Sequence, residues 1–394
     1  MVLIHKNYVL NSKWISFDPI DGQFTFLDDK PNLAPSDWEL SNEYVTNDYK
    51  SIAKVCGFEF KNVEIETYRK IYKQFGAELN SSSEISIVKY KAILNDLFDK
   101  IKDIWTKTEI DRKYYLDFHK QKVDFLSSFE RIKIDRSYFD KLKIENSIIE
   151  SFKPDDDGFC KNIKYTFDET KTGRLKVVDG PNVNLLPTEH RKHIFQSRYV
   201  NGVIASVDFV SAEMQTILVK NGSIPRQDIY QYFSDFNNLE LDREVCKKAL
   251  ISAVYGASAT LLKSIIGSQE KAEEILELAE EFLKIEDNNS ELQEECSDND
   301  GHFYNMFGRR LIGENTKNYL NAWAQSTAVD VSIIGFKNLT ENMTKQGMKY
   351  CPLFVLHDGL YLDMESKSEF DKLKELCQNG TTVNGLSYPL KVTC

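Results

Sequence analysis

The sequence predicts an α+β fold, and three observations lead to that prediction. Two aromatic-rich runs near the N-terminus flank an Asp-Gly dipeptide, which is typical of a β-hairpin. Long segments with apolar residues every three or four positions follow, which indicates amphipathic helices. Two short apolar runs, 203–207 and 353–356, each precede an aspartate within two residues and are typical of buried strands.

The composition is that of a globular protein. The 394 residues are 41% hydrophobic and 28% charged, and this length can bury a large core without disulfides or metal staples. No apolar run approaches the ~20 residues that a transmembrane helix needs, so we expect no membrane partner. The seven cysteines are scattered without a C-x-x-C pair, which argues against zinc and favours a cytoplasmic location.

The net charge of -11 is concentrated in one segment. Residues 269–300 hold 13 acidic residues and two lysines, so the rest of the chain is neutral on balance. Residues 171–200 hold six Lys or Arg residues against two acids. Because binding to a nucleic-acid backbone needs only a local basic surface, the acidic total does not exclude it. We interpret the acidic segment as a solvated helix and loop.

The elements are predicted in chain order from these patterns. The first 40 residues should contain a hairpin that turns at Asp21-Gly22, and residues 62–131 have helical periodicity. Residues 154–158, PDDDG, predict a turn or linker. Three later segments are predicted to be helical: 241–266, 269–285 and 316–340. Residues 287–301 are predicted to be an acidic surface connection, and 352–363 a buried strand pair.

Two aspartates lie at the ends of predicted strands. Asp208 follows the apolar run 203–207, and Asp358 follows 353–357. A buried and unpaired carboxylate is costly, so a cation, a base or an open cleft should accompany each one. Brought together, the two would suit Mg²⁺ and phosphate chemistry. The alternative is that each is a turn or helix-cap residue, which is common for aspartate.

One predicted helix has a cationic face. Arg243, Lys247, Ile251 and Tyr255 are spaced four residues apart and share one helical stripe. The two cations can bind a polyphosphate, and the next two residues can pack against a base or sugar. The alternative is a solvated pair of charges on a helix whose apolar end lies in the core.

Seven motifs occur in a fixed order: T-G-R-L at 172–175, P-N-V-N-L-L-P at 181–187, DFVSAEMQ at 208–215, the stripe from 243 to 256, GHFYNMFGRR at 301–310, N-A-W-A-Q-S-T-A-V-D at 321–330 and LHDG at 356–359. This series resembles the family A DNA polymerases, the group of bacterial DNA polymerase I and many phage replicases. The resemblance covers residues 165–365.

The resemblance implies a right-hand polymerase fold with an antiparallel-sheet palm, helical fingers and a helical thumb. It divides the chain into a β-containing segment (1–60), a helical thumb-like region (61–160), the first part of the palm (161–225), the fingers (226–315) and the second part of the palm (316–394). Residues 1–160 are shorter than the family's proofreading exonuclease, which needs an early D-x-E, and are not predicted to form it.

The resemblance also assigns roles to single residues. It makes Asp208 and Asp358 the metal-binding carboxylates of the palm. Arg243 and Lys247 match the residues that hold the incoming triphosphate, and Tyr255 matches the aromatic residue that stacks near the templating base.

Further roles concern the sugar and the duplex. Glu213 matches the glutamate whose bulk excludes a ribose 2′-hydroxyl. Arg174 matches the arginine that reads the primer-terminal pair from the minor groove, and His357 the histidine near the primer end. The remaining predicted DNA contacts are Lys317, Asn321 and Gln325.

Four positions depart from the family pattern. Ile251 stands where the family has Phe or Tyr, and Gly359 where a glutamate follows the catalytic aspartate. Tyr230 stands where a histidine touches the β-phosphate; its hydroxyl can make that contact but carries no charge. Gln215 replaces an arginine.

The implied activity is template-directed DNA synthesis, in which deoxynucleotides are added to a primer 3′-hydroxyl with two Mg²⁺ ions, or Mn²⁺ in their place. The implied partners are primer-template DNA, deoxynucleoside triphosphates and a separate exonuclease or processivity factor. A phage-encoded member would work in the cytoplasm of a bacterial host.

Two alternatives remain open at this point. A single-subunit RNA polymerase shares this palm and a similar cationic helix, although Glu213 and T-G-R-L favour DNA. A catalytically weakened replisome subunit that only binds DNA would explain the four departures. The retained pair Asp208 and Asp358 argues against that second alternative.

Overall fold

The computed structural model describes the chain except at residues 11–12, 34–36, 43–47, 56, 61–62, 80, 112, 144–146, 167–169, 314–315 and 317. Its residues form two compact units, Met1–Ser127 and Ser128–Cys394. Both contain helices and strands, so the α+β prediction is confirmed. The finer boundaries predicted for palm, fingers and thumb stay predictions.

The first unit contains a four-stranded sheet. Its strands are β1 (Val2–Ile4), β2 (Trp14–Phe17), β3 (Phe24–Leu27) and β4 (Trp38–Leu40), in the order β3-β2-β1-β4. β2 and β3 pair in antiparallel fashion, and Gly22 between them has φ +74°, a conformation that glycine adopts without steric cost. The hairpin predicted at Asp21-Gly22 is therefore confirmed.

The described part of the first unit also contains four α-helices: α1 (Tyr49–Val55), α2 (Val63–Gln74), α3 (Ile87–Asp111) and α4 (Lys113–Ser127). The helical periodicity predicted for 62–131 is confirmed by the last three. The apolar stripe of α3 packs on the sheet, where the rings of Phe98 and Phe17 stack 4.7 Å apart. Tyr49 is buried beside them and donates a hydrogen bond to the Ile101 carbonyl.

The second unit contains twelve of the described strands and ten of the described helices. The strands are β5 (Lys133–Ile134), β6 (Lys164–Thr166), β7 (Lys176–Asp179), β8 (Phe195–Gln196), β9 (Val203–Phe209), β10 (His302–Tyr304), β11 (Arg310–Ile312), β12 (Tyr350–Leu356), β13 (Gly359–Met364), β14 (Thr381–Val383), β15 (Leu386–Tyr388) and β16 (Leu390–Thr393). The helices are α5 (Arg136–Lys143), α6 (Thr188–Ile194), α7 (Ala212–Lys220), α8 (Ile229–Phe236), α9 (Arg243–Tyr255), α10 (Thr260–Ile266), α11 (Gln269–Leu283), α12 (Ile285–Asp298), α13 (Tyr319–Lys345) and α14 (Lys367–Cys377).

The main sheet of the second unit is antiparallel, in the order β12-β13-β9-β16. Side chains alternate along β9, so Ala205, Val207 and Phe209 are buried on one face. That face packs on helices, since the Phe209 ring lies 5.1 Å from the Phe336 ring of α13 and α14 contacts β9. Ser206 and Asp208 lie on the opposite face.

Helices α7 to α13 share a second core built from aliphatic and aromatic side chains. The predicted helix 241–266 is divided, because Gly256 ends α9 in the left-handed conformation, with φ +65°. The prediction of a surface connection over 287–301 is wrong, because α12 occupies most of it. Ile285, Leu292 and Cys296 of α12 are buried, and this apolar stripe is masked in the sequence by the surrounding acids.

Among the described residues, no helix is long and apolar enough to cross a membrane.

Candidate active site

The two aspartates predicted to act together are adjacent in the main sheet of the second unit. Asp208 lies near the end of β9, directly opposite Gly359 of β13. Asp358 lies in the turn between β12 and β13, and its carbonyl accepts a hydrogen bond from the Phe209 N–H at 3.0 Å. The strand register therefore brings together two carboxylates that are 150 positions apart in sequence.

The turn that holds Asp358 has an unusual first residue. Leu356 pairs with Gly359, so His357 and Asp358 form a two-residue hairpin loop. His357 has φ +56°, a left-handed conformation that is uncommon outside glycine and recurs at functional sites. The Asp-Gly pair is thus not the turn itself, since Gly359 already belongs to β13.

Two neighbours set the position of the Asp208 carboxylate. The Ser206 hydroxyl donates a hydrogen bond to Asp208 Oδ2 at 2.8 Å. A Cβ atom built on Gly359 would lie 2.4 Å from Asp208 Oδ1, far inside van der Waals contact. The absence of a side chain at 359 therefore makes room for the carboxylate in this conformation.

The charges around Asp208 leave the carboxylates of Asp208 and Asp358 only partly neutralised. Burial raises the pKa of Asp208, the Ser206 hydrogen bond lowers it, the charge of Asp358 raises it and that of Lys391 lowers it, with a net rise. Asp358 is exposed and Asp208 is half-buried, so both reach solvent. Two carboxylates that repel each other at a surface favour a cation between them.

The donor set fits a hard divalent cation. Carboxylate oxygens are the ligands that Mg²⁺ prefers, and Mg²⁺ is usually held by one or two carboxylates together with waters and substrate phosphates. Within the described ranges, no cluster of three or more His, Cys, Asp or Glu side chains forms a ready metal cage. Asp208 and Asp358 would thus hold such ions only in part.

A cavity of about 390 Å³ opens beside Asp358. Seven of the residues that line it were predicted from the sequence to be site residues: Arg174, Glu213, Tyr230, Ile251, Gln325, His357 and Asp358. The other lining residues are Leu175, Ser211, Ala212, Met214, Ala328, Val329 and Ser332. Residues from five separated motifs therefore meet at one cavity.

A chain of hydrogen bonds links the polar side chains along one wall. Arg174 Nη2 donates to Glu213 Oε1 at 2.9 Å, and the Tyr255 hydroxyl donates to Glu213 Oε2 at 3.1 Å. Gln325 Nε2 donates to the Tyr255 hydroxyl at 3.2 Å and to Asn321 Oδ1 at 2.8 Å. This chain fixes the Glu213 carboxylate between two helices, α7 and α9, and the loop that carries Arg174.

Arg243 is held at the start of α9 by a neighbouring helix. Its Nε lies 2.6 Å from Asp228 Oδ2, and its guanidinium lies 5.0 Å from the centre of the Tyr230 ring. Asp228 is also the N-cap of α8 and accepts the Tyr230 N–H. Lys247 is half-buried one turn along α9 and does not line the cavity.

Ile251 and Tyr230, two of the departures from the family pattern, both line the cavity. Ile251 is 36% exposed and forms part of the cavity wall. Tyr230 is 5% exposed, and burial raises its pKa, so the neutral phenol is favoured.

Gln215, the third departure, is fully buried and closes the loop that follows α7. Its side-chain nitrogen donates to the Arg226 carbonyl at 2.6 Å, and its oxygen accepts the Arg226 N–H at 2.9 Å. This residue therefore stabilises a loop and does not face the cavity.

A buried ion pair behind the cavity was not found from the sequence. Arg309 Nε lies 3.1 Å from Asp330 Oδ2, and Asn305 Nδ2 donates to the same oxygen at 2.7 Å. A Cβ atom on Gly173 would lie 2.5 Å from the Arg309 guanidinium. The motif glycine thus lets the T-G-R-L turn approach this pair, next to Arg174. Lys317, a predicted DNA contact, lies outside the described residues.

Comparison with known proteins identifies the family of the chain. A model of DNA polymerase family A matches residues 50–394. No curated protein matches the chain. One similar solved structure is the polymerase domain of Pol1 from M. smegmatis in complex with DNA primer-template and dNTP. It has a TM-score of 0.57 and 16% identity, and the match covers 88% of this chain and 81% of that one, which shows a shared fold.

Since the family model spans most of the 394 residues, the chain belongs to DNA polymerase family A and is a DNA-directed DNA polymerase.

Proposed function

We propose that this polymerase extends a primer by two-metal nucleotidyl transfer, with Asp208 and Asp358 as the residues that hold the ions. The observation that supports this most is the strand register, which sets Asp208 opposite Gly359 and next to the turn of Asp358. Bound divalent ions would lower the pKa of the attacking 3′-hydroxyl and neutralise charge on the transferring phosphate. The two carboxylates would hold the ions beside that phosphate.

The cationic face of α9 would bind the triphosphate. Arg243 is exposed at the first turn of the helix, and Lys247 follows one turn later. The ion pair with Asp228 and the ring of Tyr230 hold the guanidinium in place before nucleotide arrives. A cation fixed in this way loses less conformational entropy on binding and can neutralise the leaving pyrophosphate.

Glu213 would select deoxyribose. Its carboxylate borders the cavity and is held by Arg174 and by the Tyr255 hydroxyl. A side chain fixed from two sides excludes an extra hydroxyl group by bulk, since it cannot move aside cheaply. His357 and Gln325, which line the same cavity, would contact the duplex together with Asn321, which accepts a hydrogen bond from Gln325.

We also propose that the described residues carry no proofreading exonuclease. The D-x-E spacing does occur once near the N-terminus, at Asp37-Trp38-Glu39. Asp37 pairs with the N-terminal amine at 3.2 Å, and Glu39 is 2% exposed and pairs with Lys30 at 2.6 Å. Both carboxylates are thus committed to structural ion pairs.

The metal role of the two aspartates can be tested by substitution. Asp358→Ala and Asp208→Ala should each lower the rate of primer extension by about a hundredfold or more, because each removes a charged group at the reacting phosphate. Duplex affinity should change by less than about threefold, since it depends on phosphate contacts elsewhere. Asp371→Asn removes an exposed acid from α14 and serves as the control. Extension at the normal rate in Asp358→Ala would contradict the assignment.

A further inference from the structure

Lys391 faces the reaction site from the edge of the sheet. It lies on β16, in direct register with Asp208 of β9, and is exposed. Directly opposed residues of an antiparallel pair point to the same face, with Cβ atoms about 5 Å apart. Lys391 therefore lies on the face that carries Ser206 and Asp208, away from the face that packs on α13 and α14.

The two strands that flank Asp208 thus differ in charge. On the β13 side, Gly359 contributes no side chain, and the Asp208 carboxylate leans over it. On the β16 side, Lys391 contributes a permanent positive charge.

The sum of these charges is small for a site that is proposed to bind divalent cations. Asp208 and Asp358 contribute two negative charges, and Lys391 offsets one of them. A glutamate at 359, as in the family pattern, would have added a third negative charge. Electrostatic attraction for a free divalent ion is weakened accordingly.

We propose that Lys391 is a charge-balancing residue of the polymerase site that weakens divalent-metal binding until a nucleoside triphosphate arrives. This inference rests on the proposed metal role of Asp208 and Asp358. An incoming triphosphate brings several negative charges, which outweigh the single charge of Lys391. Metal would then bind tightly only together with nucleotide.

The proposal predicts a change in metal affinity that can be measured without turnover. Binding of Mn²⁺ to the full chain, in the absence of nucleotide, is followed by electron paramagnetic resonance of the free ion. Lys391→Met should lower the Mn²⁺ dissociation constant about threefold to tenfold, the range expected for removing one charge several ångströms from a divalent ion near the surface. The difference should shrink at high salt.

Two variants control for charge and for general effects. Lys391→Arg keeps the charge, so its Mn²⁺ dissociation constant should stay within about twofold of the wild-type value. A twofold change corresponds to less than about 0.5 kcal/mol of binding free energy. Lys345→Met removes an exposed lysine from the last turn of α13 and should also leave the affinity unchanged. Asp208→Asn should weaken binding strongly. Thermal unfolding of each variant verifies that it is folded.

The outcomes separate this inference from the proposed function. If Asp208→Asn weakens Mn²⁺ binding but Lys391→Met leaves it unchanged, Lys391 has no balancing role and the metal site stands. If Asp208→Asn binds Mn²⁺ as the wild type does, the proposed metal site itself is wrong. A third result also overturns the inference. Lys391→Met could leave the Mn²⁺ affinity unchanged and lower the slope of log duplex affinity against log salt concentration by about one. Lys391 would then be a DNA phosphate contact.

Discussion

Asp208 Oδ1 occupies the space that a side chain at 359 would need, and this gives a physical account of one departure from the family pattern. A glutamate at 359 would carry a Cβ that the present conformation of Asp208 cannot accommodate. The sequence shows the missing acid but not its consequence, because that consequence depends on the register between β9 and β13.

Gly359→Ala tests this account. The added methyl group would meet a carboxylate oxygen and no rigid backbone at that distance, so Asp208 should rotate away at little cost in stability. We expect the rate of extension to fall by about a hundredfold, because a catalytic group misplaced by roughly 1 Å costs that much. Measurement of kcat and of the unfolding temperature checks both parts. A variant with normal kcat would show that this conformation of Asp208 is not needed for catalysis.

Glu213→Ala tests the sugar selection. Loss of the carboxylate should raise the use of ribonucleotides relative to deoxynucleotides by about 10-fold to 100-fold, the discrimination that a small steric difference supplies. The ratio of kcat/KM for matched ribo- and deoxynucleotides measures it. Glu213→Gln keeps the bulk and serves as the matched control, with selectivity near that of the wild type. Equal selectivity in all three proteins would remove Glu213 from this role.

Site residues that lie close together in the sequence can be predicted from their spacing. The stripe on α9 and the aspartates at the strand ends could be located from spacing alone, and Ile251 of the stripe and Asp358 line one cavity. Ser206 and Lys391 could not be found in this way. Their relation to Asp208 depends on side-chain direction and on the pairing of β9 with β16, which are separated by some 180 positions in the sequence.

Among the helices, α12 shows why the pattern failed. Its sequence is rich in Asn, Asp and Ser, which have low helix propensity, so residues 287–301 were interpreted as a connection. Tertiary contacts decide otherwise, since Leu292 and Cys296 are buried against the other helices and Asn288 donates to the Leu283 and Lys284 carbonyls. An apolar stripe of three residues is too sparse to stand out among acids.

Helix α13 and the β10–β11 hairpin are held together by the buried pair Arg309 and Asp330. Both side chains are at most 5% exposed, so removal of Asp330 takes a buried ion-pair partner away from Arg309. Asp330→Ala should lower the free energy of unfolding by about 3–5 kcal/mol, as for other buried pairs that lose one partner. Denaturant titration measures this change.

The matched control lies on the same helix. Lys337 and Glu341 of α13 form an exposed pair, and Glu341→Ala should cost less than about 1 kcal/mol. The double variant Arg309→Met/Asp330→Ala should recover part of the loss, because both charges of the buried pair are then removed together. Equal costs for Asp330→Ala and Glu341→Ala would mean that the buried pair contributes no more than a surface one.

Over the entire chain, the order of the motifs carried the prediction further than any one of them. The α+β class follows from the hairpin, helix and strand patterns and the family from seven short segments, and the family model confirms the family over residues 50–394. The boundaries predicted for palm, fingers and thumb stay predictions, and the contacts divide the chain into Met1–Ser127 and Ser128–Cys394.

The most direct test of template-directed DNA synthesis is single-nucleotide extension. A labelled primer-template with Mg²⁺ is incubated with each deoxynucleotide alone and with each ribonucleotide alone. We expect growth by one residue only with the deoxynucleotide complementary to the template base. No growth with any deoxynucleotide, or growth equally fast with the matching ribonucleotide, would contradict the account.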